Sequence, residues 1–512
     1  MAALVALLGV TACSGDPGVL TESARRTVAA PIDPPSTSPP STTPGTPTTT
    51  EPSSTPNPPV TDPTTAPAPP TNAPTPAPPT GELLNLGDAK TPRDYDDFVA
   101  AALADLERWW SEQFPALYGS PFERLAGGVY AAYPERTDPI PGCGTSQSTT
   151  YEEIRQYSAF YCQQSDFMVY DDGEGGILYS LAEEFGPSIL GVVLAHEFGH
   201  AIQARVGDLD RGLPTITTEQ QADCMAGAWV ARAANGEADG VTFADADVRT
   251  GLIAMITVRD PIGIDQFSPG GHGSAFDRVG AFQVGFTSGL ERCAELIDDP
   301  LPLVPNTFQP GSNIDGNAAF GYADDEIVGL ITKDLNAFWP RALAAIDAAL
   351  PELTVVPIGS PDEITCAEPA GEFAMGAVYC ADTQQVFFDE PLALDLYDRF
   401  GDFVVGYVLG GAWSEAAQQA LGSPLTGEDR SLLSDCLTGT WVGDIIPDES
   451  GSTPRQAARV EPGDLDEAIQ TALVVGDPAS TDDVVGSGFE KIASFREGVL
   501  GGIDACNTRL GD

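Results

Sequence analysis

One stretch concentrates residues able to do chemistry. Residues 190–207 read LGVVLAHEFGHAIQARVG and place His196, Glu197 and His200 in an HExxH spacing. Residues four apart share a helix face, so both imidazoles can reach one metal ion. Glu197 then projects beside that ion, where a carboxylate can take a proton from water. The chain has 3 histidines, and two are here. HExxH fixes few positions and recurs by chance, so the reading needs further ligands. A hydrolytic zinc site takes three protein ligands and leaves a position for water. Downstream, residues 217–230 read TTEQQADCMAGAWV. Glu219 and Asp223 are four apart and share a face. One can bind the metal while the other receives a ring N–H from a ligand histidine. The competing reading has both acids merely solvating a helix N-terminus. The third histidine, His272, lies among glycines in GGHGSAFDR. Either His272 or Arg278 would supply the donor that a developing oxyanion requires.

These residues need elements to hold them. Residues 94–113 carry apolar positions at helical period, with Phe98, Ala101, Ala102, Leu106, Trp109 and Trp110 on one face. Gly/Pro punctuation and a short strand-like run, GGVYAAYP, follow. The run SAFYCQQSDFMVYDD suits a hairpin around Cys162, and the stretch from Phe167 to Tyr170 is the expected edge for an extended peptide. The HExxH helix starts near Gly186-Pro187, since proline suits a first helical turn. The next helix should start with Thr217 or Thr218 as its cap and Glu219 in its first turn.

Composition narrows the class. With 24 Lys+Arg against 75 Asp+Glu, the formal charge of −51 disfavours nucleic acid, a polyanion, as a partner. Residues 3–12, ALVALLGVTA, form an apolar run too short to span a bilayer. With Val10-Thr11-Ala12-Cys13 they resemble a bacterial lipoprotein signal, residues 1–13, ending at a lipid-modified Cys13. No Lys or Arg precedes the run, as a start codon placed too far downstream would produce. A plain signal peptide and a secreted product are the alternative. Residues 14–82 read as a disordered linker, mostly Pro, Thr, Ser and Ala, unable to bury enough surface to offset ordering. Eight further cysteines in an exported chain read as disulfides.

HEFGHAIQ, then E-x-QADC-x-AG-x-W, then HGS-x-x-DR-x-x-AF-x-x-GF, together resemble the bacterial putative neutral zinc metallopeptidase family. The upstream segments LYGSPF, GGVYAAYP and AFYCQQSDFMVYDD are similar to it too, and the likeness spans roughly residues 92–294. The E-x-x-x-D after HExxH resembles the gluzincin arrangement of thermolysin-like peptidases. The resemblance implies His196, His200 and Glu219 as zinc ligands, Glu197 as general base, Asp223 behind a ligand histidine, and a helix-rich α+β fold with a small sheet.

The chain then repeats itself. LITKDLNAFW echoes LADLERWW, AVYCADTQQVFFDEP echoes AFYCQQSDFMVYDD, and VGYVLGGAWSEAAQQALG echoes the HExxH stretch. LLSDCLTGTWVG and GSGFEKIASFREGVLGGIDAC echo the two segments that follow. On that frame His196 falls on Gly411, Glu197 on Ala412, His200 on Glu415, Glu219 on Ser431 and His272 near Val485, while Asp435 keeps the Asp223 position. The second copy cannot bind zinc by the same scheme. The repeat favours pairing Cys143–Cys162 and Cys224–Cys293, then Cys366–Cys380 and Cys436–Cys506.

The expectation is therefore a zincin-like α+β domain present twice in tandem. Residues 83–295 form the zinc metallopeptidase domain, 296–322 a connection, and 323–512 a degenerate domain without metal ligands. The chain should cut a peptide or protein substrate outside the cytoplasm with Zn2+. Its membrane contact should be through the lipid anchor only, with an envelope protein as a partner for the degenerate domain. The rivals are a non-catalytic envelope lipoprotein that uses the fold for binding, and a zinc amidase acting on cell-wall material.

Overall fold

In the computed structural model the described residues are 83–144, 148–262, 267, 270–304, 317–344, 348–367, 369–371, 375–447, 458–461, 463–475 and 487–507. The lipobox, the whole linker 14–82, Val485 and part of the 296–322 connection lie outside them.

The apolar face of residues 94–113 forms α1 (Asp96–Tyr118), which buries Val99, Leu103, Leu106, Trp110 and Phe114. It runs past the expected end because Pro115 is accommodated in the last turn, and Gly119, at φ 74°, ends it. A small sheet follows. Strands β1 (Leu84–Asn85), β2 (Gly128–Ala132), β3 (Ala159–Cys162) and β4 (Phe167–Asp171) lie in the order β1-β2-β4-β3. β2 pairs parallel with β4, and β3 antiparallel with β4, Phe160 opposite Val169. This corrects the expectation for residues 167–170. β4 is hydrogen-bonded on both sides, and β3 is the edge. The hairpin sequence was legible, but which arm faces outward depends on β2, a strand about thirty residues upstream.

Helix α2 (Ile177–Phe185) leads to the HExxH helix, α3 (Ser188–Val206), in which Ser188 to Gln203 are all buried. A helix apolar all round must be enclosed all round. The sheet, α1, α2, α4 (Thr215–Ala234) and α5 (Asp245–Thr257) enclose it, and α6 (Ala275–Glu295) packs along α4. α4 starts earlier than expected. Pro214, in extended conformation, precedes its first turn, so Thr217 and Thr218 are not its cap, and the Thr218 hydroxyl instead donates back to Thr215 O (2.7 Å). Glu219 therefore sits in the second turn. Glycines let α4 and α6 touch backbone to backbone. A methyl at Gly227 would overlap the Phe282 carbonyl, and one at Gly285 the Cys224 carbonyl. The Cys224–Cys293 disulfide closes the same pair of helices, and Cys143–Cys162 ties the loop beside β3.

The C-terminal half presents elements in the same order. They are α7 (Ile327–Ala344), β5 (Thr354–Ile358), β6 (Pro369–Ala370), β7 (Ala377–Cys380) and β8 (Gln385–Asp389), then α8 (Glu390–Phe400), α9 (Phe403–Leu421), α10 (Gly427–Ile445), α11 (Asp464–Val475) and α12 (Gly488–Asn507). Its sheet runs β5-β8-β7-β6, with β5 parallel to β8 and β7 antiparallel to it. Details recur as well. Buried Asp105 accepts from Trp229 Nε1 (3.0 Å), and buried Asp334 from Trp441 Nε1 (2.8 Å). Gln203 donates to Thr218 O (2.6 Å) and Gln418 to Arg430 O (2.9 Å). α6 and α12 each break at one glycine, Gly289 and Gly502. The disulfides are Cys366–Cys380 and Cys436–Cys506, so all four expected pairs form.

The described residues of both halves pack as one unit. The halves meet along α6 and α12 with reciprocal contacts. Gln283 Nε2 donates to Phe489 O (2.8 Å), and Arg496, at the matching position of α12, donates to Phe276 O. No helix among the described residues is long and apolar enough to cross a membrane.

Candidate metal centre

Gly199 on α3 faces Ala222 on α4; a methyl there would lie 3.0 Å from the Ala222 Cα. This close crossing brings His196 and His200 against Glu219. Each histidine Nε2 lies 3.3 Å from a Glu219 carboxylate oxygen, His196 from Oε2 and His200 from Oε1. All three side chains are buried.

The hydrogen bonds fix the tautomers. Gln203 Nε2 donates to the Thr218 carbonyl, so Gln203 Oε1 is left to accept from His200 Nδ1–H (2.9 Å). Asp223 Oδ1 accepts from His196 Nδ1–H (2.7 Å). With each Nδ1 held by its own acceptor, the nitrogen turned toward Glu219 is Nε2 in both rings, the one a metal would take in place of a proton. Asp223 is shared. Arg278 donates to it from Nη2 (2.7 Å) and Nε (2.9 Å), and gives Nη1 to the Val258 carbonyl (2.6 Å). Arg278 thus stands behind His196, holding its partner. Arg278 is buried and gives these donors to Asp223 and Val258. His272 is held by Asp260, which accepts from its Nδ1–H (3.1 Å) and its backbone N–H (2.7 Å).

Electrostatics favour positive charge here. Burial pushes the Glu219 carboxyl up, but the charges of His200 and His272 and the close ring nitrogens of His196 and His200 outweigh it and hold Glu219 well below the usual carboxylate range. Burial likewise raises Asp223, and the Arg278 and His196 charges outweigh it, lowering the group. For His196, burial lowers the pKa, and the charge and hydrogen bond of Asp223, aided by Glu219, lift it to about 10. A pocket that grips a proton this way is built for a cation.

The residues fit zinc. The ligand atoms of His196, His200 and Glu219 all lie within 4.8 Å of one another. Ligands about 2.1 Å from a tetrahedral centre stand about 3.4 Å apart, and the two 3.3 Å separations match that edge. Glu219 Oε2 and Glu197 Oε2 are buried without a hydrogen-bond partner. Such orphans call for a ligand or an ion. Glu219 and Asp223 are among the most enclosed groups of the chain, which excludes the solvated helix-start reading.

Residues 75–295 match the putative neutral zinc metallopeptidase family. The match ends on the last residue of α6. The chain is similar to uncharacterised proteins of Mycobacterium tuberculosis (Rv2575) and Mycobacterium bovis (Mb2605), each 28% identical over 231 residues, 40% of this chain and 73% of the relative. It is also similar to the uncharacterised protein YpfJ of Escherichia coli, 29% identical over 127 residues, 21% of this chain and 41% of that protein. No solved structure matches. The family segment contains the whole His196–His200–Glu219 cluster, with His272 and Arg278.

Outside the family segment, the matching place in the second half has other contents. Gly411, Ala412 and Glu415 stand along α9 where His196, Glu197 and His200 stand along α3. Glu415 accepts from Arg430 Nε (2.6 Å) and from the Ser434 hydroxyl (2.6 Å). Buried Lys491 pairs with Asp435 (2.6 Å), as Arg278 does with Asp223, and the Tyr407 hydroxyl donates to the same carboxylate (2.6 Å). A cavity of about 90 Å³ remains. Two functional features were not foreseen from sequence: the Asp260 grip on His272 and the Gln203 grip on His200. An i, i+3 His–Gln pair on one helix was a usable signal for the second. Nothing local pointed to Asp260, twelve residues from its partner.

Proposed function

We propose that the chain is a zinc-dependent peptidase working outside the cytoplasm, with the first half as its catalytic part. One observation carries the reading: two imidazole Nε2 atoms and Glu219 converge, and the unpaired Glu197 carboxylate sits on the same helix beside them. Zinc bound there would lower the pKa of a water toward about 7. Glu197, on the same helix as the two histidines, would serve as the base that takes a proton from water and returns it to the leaving nitrogen. His272, oriented by Asp260, donates to the oxyanion. Asp223 and Arg278 keep His196 in its ligating tautomer. An extended peptide would dock along the β3 edge, which packs against α3.

We read residues 323–512 as a degenerate copy that keeps the fold and has lost the metal ligands. The matching element order, the paired Asp–Trp hydrogen bonds, the glycine contacts and the equivalent disulfides support this. In the second sheet β6 covers the edge strand β7, Ala370 opposite Tyr379, so the copy also lacks the open edge. Four disulfides suit an oxidising compartment. With the lipobox-like Cys13 they favour a lipid-anchored protein on the outer face of a bacterial membrane.

The test is zinc content and peptide cleavage by the full chain and by Glu197→Gln. The variant should keep zinc and lose cleavage by on the order of 10²–10⁴-fold. A wild-type chain that holds no zinc on loading sinks the peptidase reading and the amidase rival together. Zinc retained with no peptide cleaved, but cell-wall amides hydrolysed, transfers the mechanism to the amidase.

A further inference from the structure

Three consecutive residues between α5 and α6 point to three different places. The Val258 carbonyl accepts from Arg278 Nη1 (2.6 Å). Asp260 grips the ring and backbone of His272 and also accepts from Gly273 N–H (2.8 Å). Between them, Arg259 reaches across to the other half of the molecule. Its Nε lies 2.8 Å from Asp466 Oδ2 on α11, an ion pair rather than an aligned hydrogen bond, while its Nη1 donates to Ile256 O (2.8 Å). Asp466 does a second thing. Its Oδ1 accepts from Phe276 N–H (3.1 Å), in the first turn of α6, two residues before Arg278. Its negative charge also suits the N-terminus of that helix. One buried carboxylate of the second half therefore touches both segments that carry the site: the 258–260 strap and the start of α6.

We infer that Asp466, acting through Arg259, is a positioning residue for His272 and Arg278, so that the half without metal ligands holds the catalytic half in its working geometry. Asp466 lies on α11, away from the HExxH helix. Asp466 and Arg259 act on the 258–260 strap and the start of α6. The expected consequence of loosening it follows from geometry: a donor displaced by about 1 Å from a reacting centre loses on the order of 10–100-fold in turnover. The reciprocal Gln283–Phe489 and Arg496–Phe276 contacts keep α6 and α12 together when Asp466 is changed. A local loss of aim is thus separable from separation of the halves.

The kinetic part of this inference rests on the peptidase reading; the structural part does not. The chain's 3 histidines make its ring signals few enough to assign in labelled full-length protein loaded with zinc, with His272→Gln identifying one of them. Asp466→Asn keeps an oxygen for Phe276 N–H and removes the charge that Arg259 meets. It should shift or broaden the His272 signal and leave those of His196 and His200 and the zinc content in place. Arg259→Gln should reproduce that change, and the double variant should add nothing to it. If peptide is cleaved, kcat should fall about 10–100-fold with KM nearly constant. Asp466→Ala, which removes both contacts, should go further in the same direction. An unmoved His272 signal in Asp466→Asn overturns the inference, as do additive effects of the two single variants or a kcat that falls only in proportion to lost zinc. Absence of cleavage in the wild type would remove the proposed activity and leave the resonance result to decide this point alone.

Discussion

Next to Asp466 on α11 sits Glu467, and its surroundings make the second half a pH-sensitive support. Glu467 and Asp464 are buried, and with Asp402 they bring carboxylate oxygens within 4.8 Å of one another. Burial, then the Asp402 charge, push Glu467 up to about 8; Asp466 adds to this, while the Phe403 N–H bond and Arg259 oppose it. Asp464 is driven well above the usual range by burial and the Glu467, Asp402 and Glu461 charges. The fold therefore holds protons that the unfolded chain releases above its ordinary carboxyl value of 4.5. Linkage gives the sign: the stability from Glu467 is complete below about 4.5, falls as pH rises, and is gone above about 8. The slope is on the order of 1.4 kcal/mol per pH unit for each proton retained, or about 1.5 °C in melting temperature for a unit of this size. Glu467→Gln keeps an oxygen for Phe403 N–H (2.8 Å in the wild type) and cannot ionise. Denaturant melts at pH 5, 6.5 and 8 should give wild-type curves whose midpoint falls with pH. The variant should lie near wild type at pH 5 and above it at pH 8. Parallel curves across that range would refute the assignment of the proton to this cluster.

Asp435→Ala should destabilise the chain by about 3–5 kcal/mol, because it strands the buried Lys491 ammonium; calorimetry reads the loss, and zinc stoichiometry should not change. Arg278→Gln should cost a similar amount by leaving Asp223 uncompensated, and here equilibrium dialysis should show zinc held at least about 10-fold less tightly. Replacing Cys224 and Cys293 by Ser should lower stability by about 2–5 kcal/mol, and the wild type under full reduction should fall at least as far.

The sequence told most where chemistry and fold share one helix. His196, Glu197 and His200 sit at fixed positions on a helix whose unbroken apolar run announces burial, so their convergence followed from the 3.6-residue period. The four disulfides were legible because the chain repeats itself, and one copy constrains the other. Sheet order was harder. Alternation in SAFYCQQSDFMVYDD marks a hairpin, but only the non-local β2–β4 pairing decides that β3, not β4, is the edge. Helix starts were displaced where a competing local choice won: Pro214 set the first turn of α4 before Thr217 or Thr218 could cap it. Arg278 illustrates the deeper limit. Its spacing from His272 suited an oxyanion donor, yet it is spent on Asp223, a partner brought to it only by the glycine-lined contact of α4 and α6.

The two halves also sort which residues serve the fold and which serve the site. Asp105 with Trp229 has a counterpart in Asp334 with Trp441, and the glycine contacts of α4 with α6 recur in α10 with α12. Such features hold the architecture, since they are present in the half that lacks the histidine pair. Asp223 with Arg278 also has a counterpart, Asp435 with Lys491, so a buried acid–base pair between these helices belongs to the architecture first. His196 then makes use of that acid in the first half. What lacks a counterpart is His196, Glu197, His200 and Glu219. In the second half glycine, alanine, glutamate and serine fill those positions without loss of the helix pair. The fold does not need these four residues, so their joint burial, with two carboxylate oxygens left unpaired, needs a ligand to explain it. Asp466 works the other way round. It lies in the half without the histidine pair, yet its contacts run to the strap and helix beside that pair, so the second half bears on the geometry of the first.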